Sequence, residues 1–489
     1  MARRDEIIKE RLRKLNELKK IGVNPYPYKF DKKNDASELQ EKYKKLKAGA
    51  KTKNKVAVAG RVMVIRDIGK LIFSDLQDSS GKIQIQLQKG ETPEKQVSFF
   101  KKFIDTGDFV GINGKIIKTK RGELSVLVDK IELLSKSVLP LPEKWHGLQD
   151  KEERYRKRYL DLIMNPEVKG VFETRQKVFD CIREFLKKEG FKEVQTPILQ
   201  PIYGGTSAAP FESKLNALNM KVYMRISNEM YLKRLITGGY EKVFEFSPDF
   251  RNEGIDKLHN PEFTQVETMW GYADFEDNMK LWPELVEYIV KNIHGKTKIK
   301  VGENEIDFKR PWKRMKFFDS IKKFAKIDFS KVKDIKEAKK LSKKVGVDCD
   351  KCGSIGEVMI EVFEEKAQPK LIQPTLVYEY PQEAAILSKA ENGIAKSFEV
   401  IINGWEVALS YCEENDPDAL RAKWEQQEKA LKGGNIEAQR MDEDFLTALK
   451  IGMPPTSGVG MGIDRLVMLL TNQPSIRDVI LFPFMKPEK

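Results

Sequence analysis

The stretch VFEFSPDFRNEGIDKLHNPEFTQVETMWGY, residues 243–272, decides how the larger part of the chain is read. It reads as a strand, a loop and a returning strand. Alternate side chains of a strand share a face. Arg251 and Glu253 therefore point the same way, and Phe263, Gln265, Glu267 and Met269 share one face of the return. One sheet face would then carry a cation, acids and an aromatic plate. That equipment suits a nucleotide: guanidinium for phosphate, ring for base, carboxylate for an amine. On residue types alone a solvated hairpin with ion pairs reads equally well, although Phe250 and Phe263 amid charges weigh against it.

Downstream, PPTSGVGMGIDRLVMLLT at 454–471 alternates three glycines, Gly458, Gly460 and Gly462, and then opens a helix with Asp464 and Arg465. The glycines permit close approach of backbone to a ligand. The run has no Gly-Lys-Ser/Thr, so it is not a Walker phosphate loop, and it is not GxGxxG. Arg465 on the first helical turn could reach a phosphate. A tight helix–sheet contact with a solvent-facing arginine is the competing reading.

Between these two segments lies SFEVIINGWEVALSYCEENDP, 397–417. Asn403-Gly404 between β-rich runs is a strong hairpin signal. A two-residue turn there sets Ile402 opposite Trp405 and Ile401 opposite Glu406, with Glu399 as the diagonal neighbour of Glu406 on the same face. Two carboxylates so placed could hold Mg²⁺ between them and a phosphate. A pair of merely solvated acids is the alternative. Glu413 is an odd number of residues from Glu406, so sharing that face requires a bulge, expected near Ala408–Ser410.

Further out, residues 169–189 read as a helix with Phe172, Val178, Phe179, Ile182, Phe185 and Leu186 on its apolar stripe and Gly190 at its end. The rest of this half mixes strands and helices without a βαβ rhythm, which favours an antiparallel α+β domain. Before it, VAVAGRVMVI, KLIFSDLQD, KIQIQLQ, DFVGINGKIIKT and ELSVLVDKIELL are β-rich runs separated by turn signals at 79–82 and 120–123. Five short strands in so few residues suit a closed barrel of the OB type, a fold that commonly binds single-stranded nucleic acid. Residues 5–20 read as an amphipathic helix, followed by a lysine-rich stretch. The expected divisions are an N-terminal helix and basic arm at 1–55, the barrel at 56–138, a linker at 139–154 and the sheet domain at 155–489.

The whole chain of 489 residues carries 88 basic against 74 acidic side chains, a net charge of +14 that favours a polyanionic partner. A lysine-rich chain with solvated faces gives the same count. No apolar run reaches the roughly 18 residues of a membrane span, and the first twenty residues lack the apolar core of a signal peptide. Four cysteines are too few for a disulfide framework, so a reducing, cytoplasmic setting is expected. Cys349 and Cys352 form a lone CxxC, read as ordinary thiols rather than a zinc site.

Taken together the three segments resemble the class II aminoacyl-tRNA synthetases. GFKEVQTPILQP at 190–201 looks like that class's dimer-interface motif, FRNE at 250–253 with HNPEFT at 259–264 like the second motif, and GVGMGIDR at 458–465 like the third. Within the class, GGTSAAPF, EMYLKRL, NPEFT, LIQPT, EYP, ENDP and IRDVILFP are similar to the lysyl-tRNA synthetases over nearly the whole chain. The resemblance implies an OB-type anticodon barrel followed by an antiparallel catalytic sheet flanked by helices. It implies that Arg251 grips the ATP α-phosphate, Glu253 and His259 contact ATP, Phe263 stacks on adenine and Arg465 holds the terminal phosphate end. It makes Glu399 and Glu406 magnesium carboxylates. Glu229, Glu267 and Gly205 would surround the α-amino group, and Glu413 would pair with the lysine ammonium. Arg66, Phe73 and Gln84 fall where the family reads the central uridine of the anticodon; a stacking ring and two hydrogen-bonding side chains suit an unstacked base.

The pattern is not followed everywhere. Met269 stands where the family usually has tyrosine, Leu409 where it has asparagine, Ala209 where it has arginine, and Ala385-Ile386 replaces Ser-Pro, while Tyr411 keeps its aromatic position. The side-chain end of the pocket is thereby more apolar, yet Glu413 still selects a cation. The function implied is ATP-dependent activation of lysine to lysyl-adenylate and its transfer to tRNA(Lys), by a cytoplasmic homodimer with no membrane or DNA partner. A related class II ligase of altered selectivity (aspartyl, asparaginyl or a lysine analogue) and a non-catalytic tRNA-binding paralogue are the alternatives.

Overall fold

The computed structural model describes residues 2–142, 148–434 and 438–488. The chain divides after Leu148 into two compact units. Part of the expected linker, together with His146, lies outside the described residues.

In the first unit, helix α1 (Ala2–Lys20) is followed by strands β1 (Lys51–Asp67), β2 (Leu71–Gln77) and β3 (Lys82–Gln88), helix α2 (Glu94–Phe103), and strands β4 (Phe109–Lys118) and β5 (Leu124–Ser135). The strands close into a barrel in the order β1-β2-β3-β5-β4. Inward Ile72, Ser74 and Leu76 alternate along β2 with half-exposed Leu71, Phe73, Asp75 and Gln77, the period of two that a barrel wall requires. The segment read as a basic arm is partly built into this unit. Leu18, Ala36 and Leu39 are buried in the barrel's core cluster, and β1 begins five residues before Val56. Apolar residues spaced among lysines were too sparse to show this as sequence.

The second unit contains α3 (Glu167–Lys188), β6 (Lys192–Glu193), α4 (Glu229–Thr237), β7 (Lys242–Phe250), β8 (Glu262–Gly271), α5 (Phe275–His294), β9 (Lys313–Lys316), β10 (Thr375–Tyr378), β11 (Ser397–Ile402), β12 (Trp405–Cys412), β13 (Thr456–Gly462) and α6 (Ile463–Leu470). An eight-stranded sheet runs in the order β9-β10-β11-β12-β13-β8-β7-β6. Its inner pairs are antiparallel, and only the two outermost pairs are parallel. One face packs on α3, α5 and α6 through Phe244, Val266, Phe398, Val400, Val459 and Met461. The opposite face carries the polar residues singled out in the sequence. In α3 the stripe Val178, Ile182, Phe185 and Leu186 is buried, while Phe179 is only half-buried and lies 4.7 Å, ring to ring, from Phe246. No helix among the described residues is long and apolar enough to cross a membrane.

Candidate active site

The chemistry sits on the open face of the sheet. β7 and β8 pair with Asp249 opposite Phe263 and Glu245 opposite Glu267, so alternate residues of both strands look the same way. β8 in turn pairs with β13, and β13 with β12, placing Gly460 between Glu267 and Leu409 and Gly458 between Met269 and Tyr411. The turn at Asn403-Gly404 has positive φ at both residues, 54° and 76°, as a two-residue hairpin demands. Ile401 is opposite Glu406, but Val400 is opposite Ala408. The extra residue is therefore Val407, one position before the stretch in which a bulge was expected. It puts Glu399, Glu406, Leu409, Tyr411 and Glu413 on one side of the sheet.

These residues enclose a cavity of about 350 Å³. Its lining includes Gly205, Glu229, Arg251, Glu253, His259, Phe263, Glu267, Met269, Glu399, Glu406, Leu409, Tyr411, Glu413 and Arg465, every residue expected to touch ATP, metal or amino acid, whereas Ala209, Ala385 and Ile386 do not line it. The volume falls within the usual range for sites that take small molecules.

The two ends of the cavity differ in charge. At one end Arg251 lies over the ring of Phe263, 4.9 Å from its centre, with its Nε buried and unpartnered among the described residues. Arg465 donates to the Glu406 carbonyl at 2.7 Å and to Glu406 Oε2 at 3.1 Å, and it lies 3.2 Å from His259 Nε2. Nε2 then accepts from the guanidinium, so Nδ1 carries the proton and donates to Asp256 Oδ2 at 2.8 Å. Asp464 accepts from the Thr264 amide at 2.7 Å and pairs with Arg175, tying the helix that carries Arg465 to the strand that carries Phe263. Glu399 accepts from the Tyr380 hydroxyl at 2.7 Å. Burial and then the charge of Glu406 hold its carboxyl well above the ordinary range, Tyr380 opposing them.

The other end is acidic and enclosed. Glu229, Glu267 and Glu413 are all at least 95% buried. Gly205 has φ +95°, and a Cβ there would stand 2.8 Å from Ser227 Oγ and 3.1 Å from Glu229 Cβ, so neither backbone nor space admits a side chain. A Cβ on Gly458 would be 2.5 Å from Glu413 Oε1 and 2.7 Å from Met269 Cε. Tyr411 donates to Glu229 Oε2 at 2.6 Å. Burial pushes Glu413 up to about 8, Lys233 opposing and Glu229 adding to the shift. Burial and then Glu229 raise Glu267 well above the usual carboxylate range.

Lys233 was not legible as a site residue. It is fully buried and forms ion pairs with Glu229 and Glu413. Removing one partner of such a buried pair typically costs about 3–5 kcal/mol. The only signal in the sequence is its place four residues after Glu229 in EMYLKRL, one helical turn along. Tyr380, bonded to Glu399, was likewise seen only as part of EYP. Beside the pocket, buried Arg225 pairs with Glu245 at 2.8 Å and with Asp249 at 3.4 Å.

The family now follows from comparison. The sequence model of the tRNA synthetases class II (D, K and N) matches residues 150–486, and that of the OB-fold nucleic acid binding domain matches 56–134. A lysine–tRNA ligase of Carboxydothermus hydrogenoformans is 46% identical over 99% of this chain and 98% of its own length. One from Methanoculleus marisnigri is 45% identical, over 97% and 94%. The chain belongs to the lysine–tRNA ligase family of class II synthetases. As a member of that family it is an enzyme that charges tRNA.

The residues expected on the anticodon side lie in the first unit. Arg66 is opposite Phe73, and Asp75 is opposite Gln84, so all four project from the outer barrel face. Arg66 pairs with Asp75 at 2.9 Å, and Gln84 accepts from Ser125 Oγ at 2.9 Å. Phe73 is left half-exposed between them. Cys349 and Cys352 are far from this chemistry in sequence; both are free thiols, and burial followed by the neighbouring Cys349 pushes Cys352 up to about 12.

Proposed function

We propose that the enzyme activates lysine with ATP to lysyl-adenylate and transfers it to tRNA(Lys). The observation that carries the reading is the polarity of the cavity: a cationic end built from Arg251 and Arg465, and an enclosed acidic end closed by Glu413. A triphosphate belongs at the first and an aliphatic chain ending in an ammonium at the second.

In the first step a lysine carboxylate oxygen attacks the α-phosphorus of ATP and pyrophosphate leaves. Arg251 grips the α-phosphate, and Phe263 stacks on adenine beneath it. Arg465 takes the terminal phosphate end, with His259 and Glu253 alongside. Glu229 and Glu267, beside Gly205, hold the α-amino group; Glu413 meets the ε-ammonium between Met269, Leu409 and Tyr411. In the second step the terminal ribose hydroxyl of tRNA takes the acyl group and AMP leaves. Positioning and charge neutralisation suffice, and no side chain is assigned as a general base.

Glu399 and Glu406 fit Mg²⁺. They share one face across the hairpin, and the charge of Glu406 adds to the raising of the Glu399 carboxyl, a repulsion that a divalent cation relieves. Bound there with ATP, the ion would neutralise phosphate charge. Arg66, Phe73 and Gln84 are proposed to read the anticodon, with Phe73 free to stack. A cytoplasmic homodimer completes the reading, supported by the exposed apolar side chains Ile198, Leu199, Leu215 and Leu218, and sedimentation at the mass of two chains tests it.

The test is amino-acid-dependent pyrophosphate exchange against all twenty amino acids, followed by charging of tRNA. Lysine alone is expected to support exchange, and Glu413→Gln to abolish it while ATP still binds. Exchange with aspartate or asparagine but not lysine, or tRNA binding without any exchange, would overturn the proposal.

A further inference from the structure

One buried charge in this pocket has no part in the chemistry outlined above. Lys233 of α4 does not line the cavity; it stands behind the wall, where its ammonium pairs with Glu229 one turn earlier and with Glu413 just beyond β12. The ring of Tyr411 lies 5.6 Å from that ammonium, and the Tyr411 hydroxyl holds the other oxygen of Glu229. Oε2 of Glu413 is held by the Lys233 ammonium, and Gly458 stands against Oε1. The carboxyl nonetheless lines the cavity. Met269 and Leu409, the neighbours of Glu413 in the lining, supply no hydrogen-bond donor.

The charges facing this end can be followed element by element. α4 contributes Glu229 and Lys233, β8 contributes Glu267, and Glu413 follows β12. Behind them on β7, Asp249 and Glu245 are partnered by Arg225. Three lining carboxylates thus share a single internal ammonium. A free amino acid whose side chain is neutral brings one ammonium. Lysine brings two, at a separation set by its four methylenes. An apolar wall around an uncompensated acid favours protonating that acid over ionising it. An ammonium fixed behind the acid opposes that preference, because the opposite charge favours the ionised form.

We propose that Lys233 is a positioning residue for amino-acid selection: from behind the wall its ammonium aims Glu229 and Glu413 at the cavity and favours the form of Glu413 that pairs with the side-chain ammonium of lysine. The inference rests on the proposed lysine-activating function. Lys233 touches neither the ligand space nor ATP, so its effect is on recognition of lysine and not on the phosphoryl step. A lysine placed there for packing alone would be replaced by methionine with no change in the pH dependence of lysine recognition.

Pyrophosphate exchange with the full-length enzyme separates these outcomes. For Lys233→Met at about pH 7, the lysine KM is expected to rise about tenfold or more, the counterpart of about one pH unit of lost bias toward the ionised acid. The ATP KM and the kcat at saturating lysine should stay within about threefold. The limb on which lysine KM falls with rising pH should move upward by about one unit or more. Lys233→Arg keeps the charge and should hold the lysine KM within about threefold of native. If the methionine variant does not fold, the arginine variant decides: a lysine KM raised about tenfold at native ATP KM overturns the proposal. So does a folded methionine variant whose lysine KM and pH profile are both native. Absence of lysine-dependent exchange in the native enzyme would instead sink the functional reading on which the inference rests.

Discussion

The hydroxyl of Tyr380, itself buried, donates to Oε2 of the half-buried Glu399 at 2.7 Å. The bond fixes the direction in which one of the two proposed magnesium carboxylates points. Burial and the charge on Glu399 push the phenol well above its ordinary range, so it remains a donor. Tyr380→Phe removes the donor and little volume. Loss of a group that orients a metal ligand typically weakens metal affinity or activity by about 10–100-fold. The Mg²⁺ concentration for half-maximal pyrophosphate exchange is expected to rise by about tenfold, with lysine KM unchanged; a native magnesium titration would refute the role.

Gly458 is required by space. Its backbone φ is not in the left-handed region, yet a Cβ would meet Glu413 Oε1 at 2.5 Å and the Met269 side chain at 2.7 Å. Gly458→Ala must therefore displace the acid, the methionine or the strand. Lysine KM is expected to rise by about 10–100-fold, since a displacement near 1 Å can cost about a hundredfold. ATP KM should stay native, because Arg251, Phe263 and Arg465 lie at the other end. Isothermal titration with lysine and with ATP separates the two effects.

Lysine recognition should depend on pH. Burial holds Glu413 at about 8, so over the acidic side of that value the acid carries a proton in the empty pocket. An ammonium pairs with the ionised form. Lysine KM is therefore expected to fall as pH rises toward about 8, by at most about tenfold per unit. The stability of the empty enzyme should move the other way. The native state keeps a proton that the unfolded chain releases above its ordinary carboxylate value, so stability declines as pH rises from the ordinary carboxylate range toward about 8. Thermal melting across that window, with and without lysine, checks both signs: lysine should stabilise more at the upper end.

Phe73 is half-exposed between Arg66 and Gln84 on the barrel's outer face. Stacking of one base on an aromatic ring is worth about 1–3 kcal/mol. Phe73→Ala is expected to raise the KM for tRNA(Lys) in charging by about tenfold or more while leaving pyrophosphate exchange native. Equal loss in both assays would show that the substitution acts through folding and not through the anticodon.

Much of the site could be read before any coordinates. The period of two placed Phe263, Gln265, Glu267 and Met269 on one face, and the Asn403-Gly404 turn fixed the pairing of Ile401 with Glu406. Both are local effects of strand geometry and turn chemistry. The closed barrel followed from the same alternation. The bulge was needed by parity but its position was not, because Val407 and its neighbours are all apolar and no residue there announces an extra one. The N-terminal segment misled for a related reason: Ala36 and Leu39 are isolated among polar residues, and only the barrel beneath them makes them core.

What the chain's own order of residues determined was which side chains share a strand face and which turn returns it, since these depend on φ and ψ of adjacent residues. What only the tertiary structure decided was which strand lies beside which, and hence that β13 passes between β8 and β12 to bring Gly458 against Glu413. It also decided that Lys233 lies buried between two acids. Burial depends on elements distant in sequence closing around a group, and it is burial that turns an ordinary helical lysine into a fixed charge.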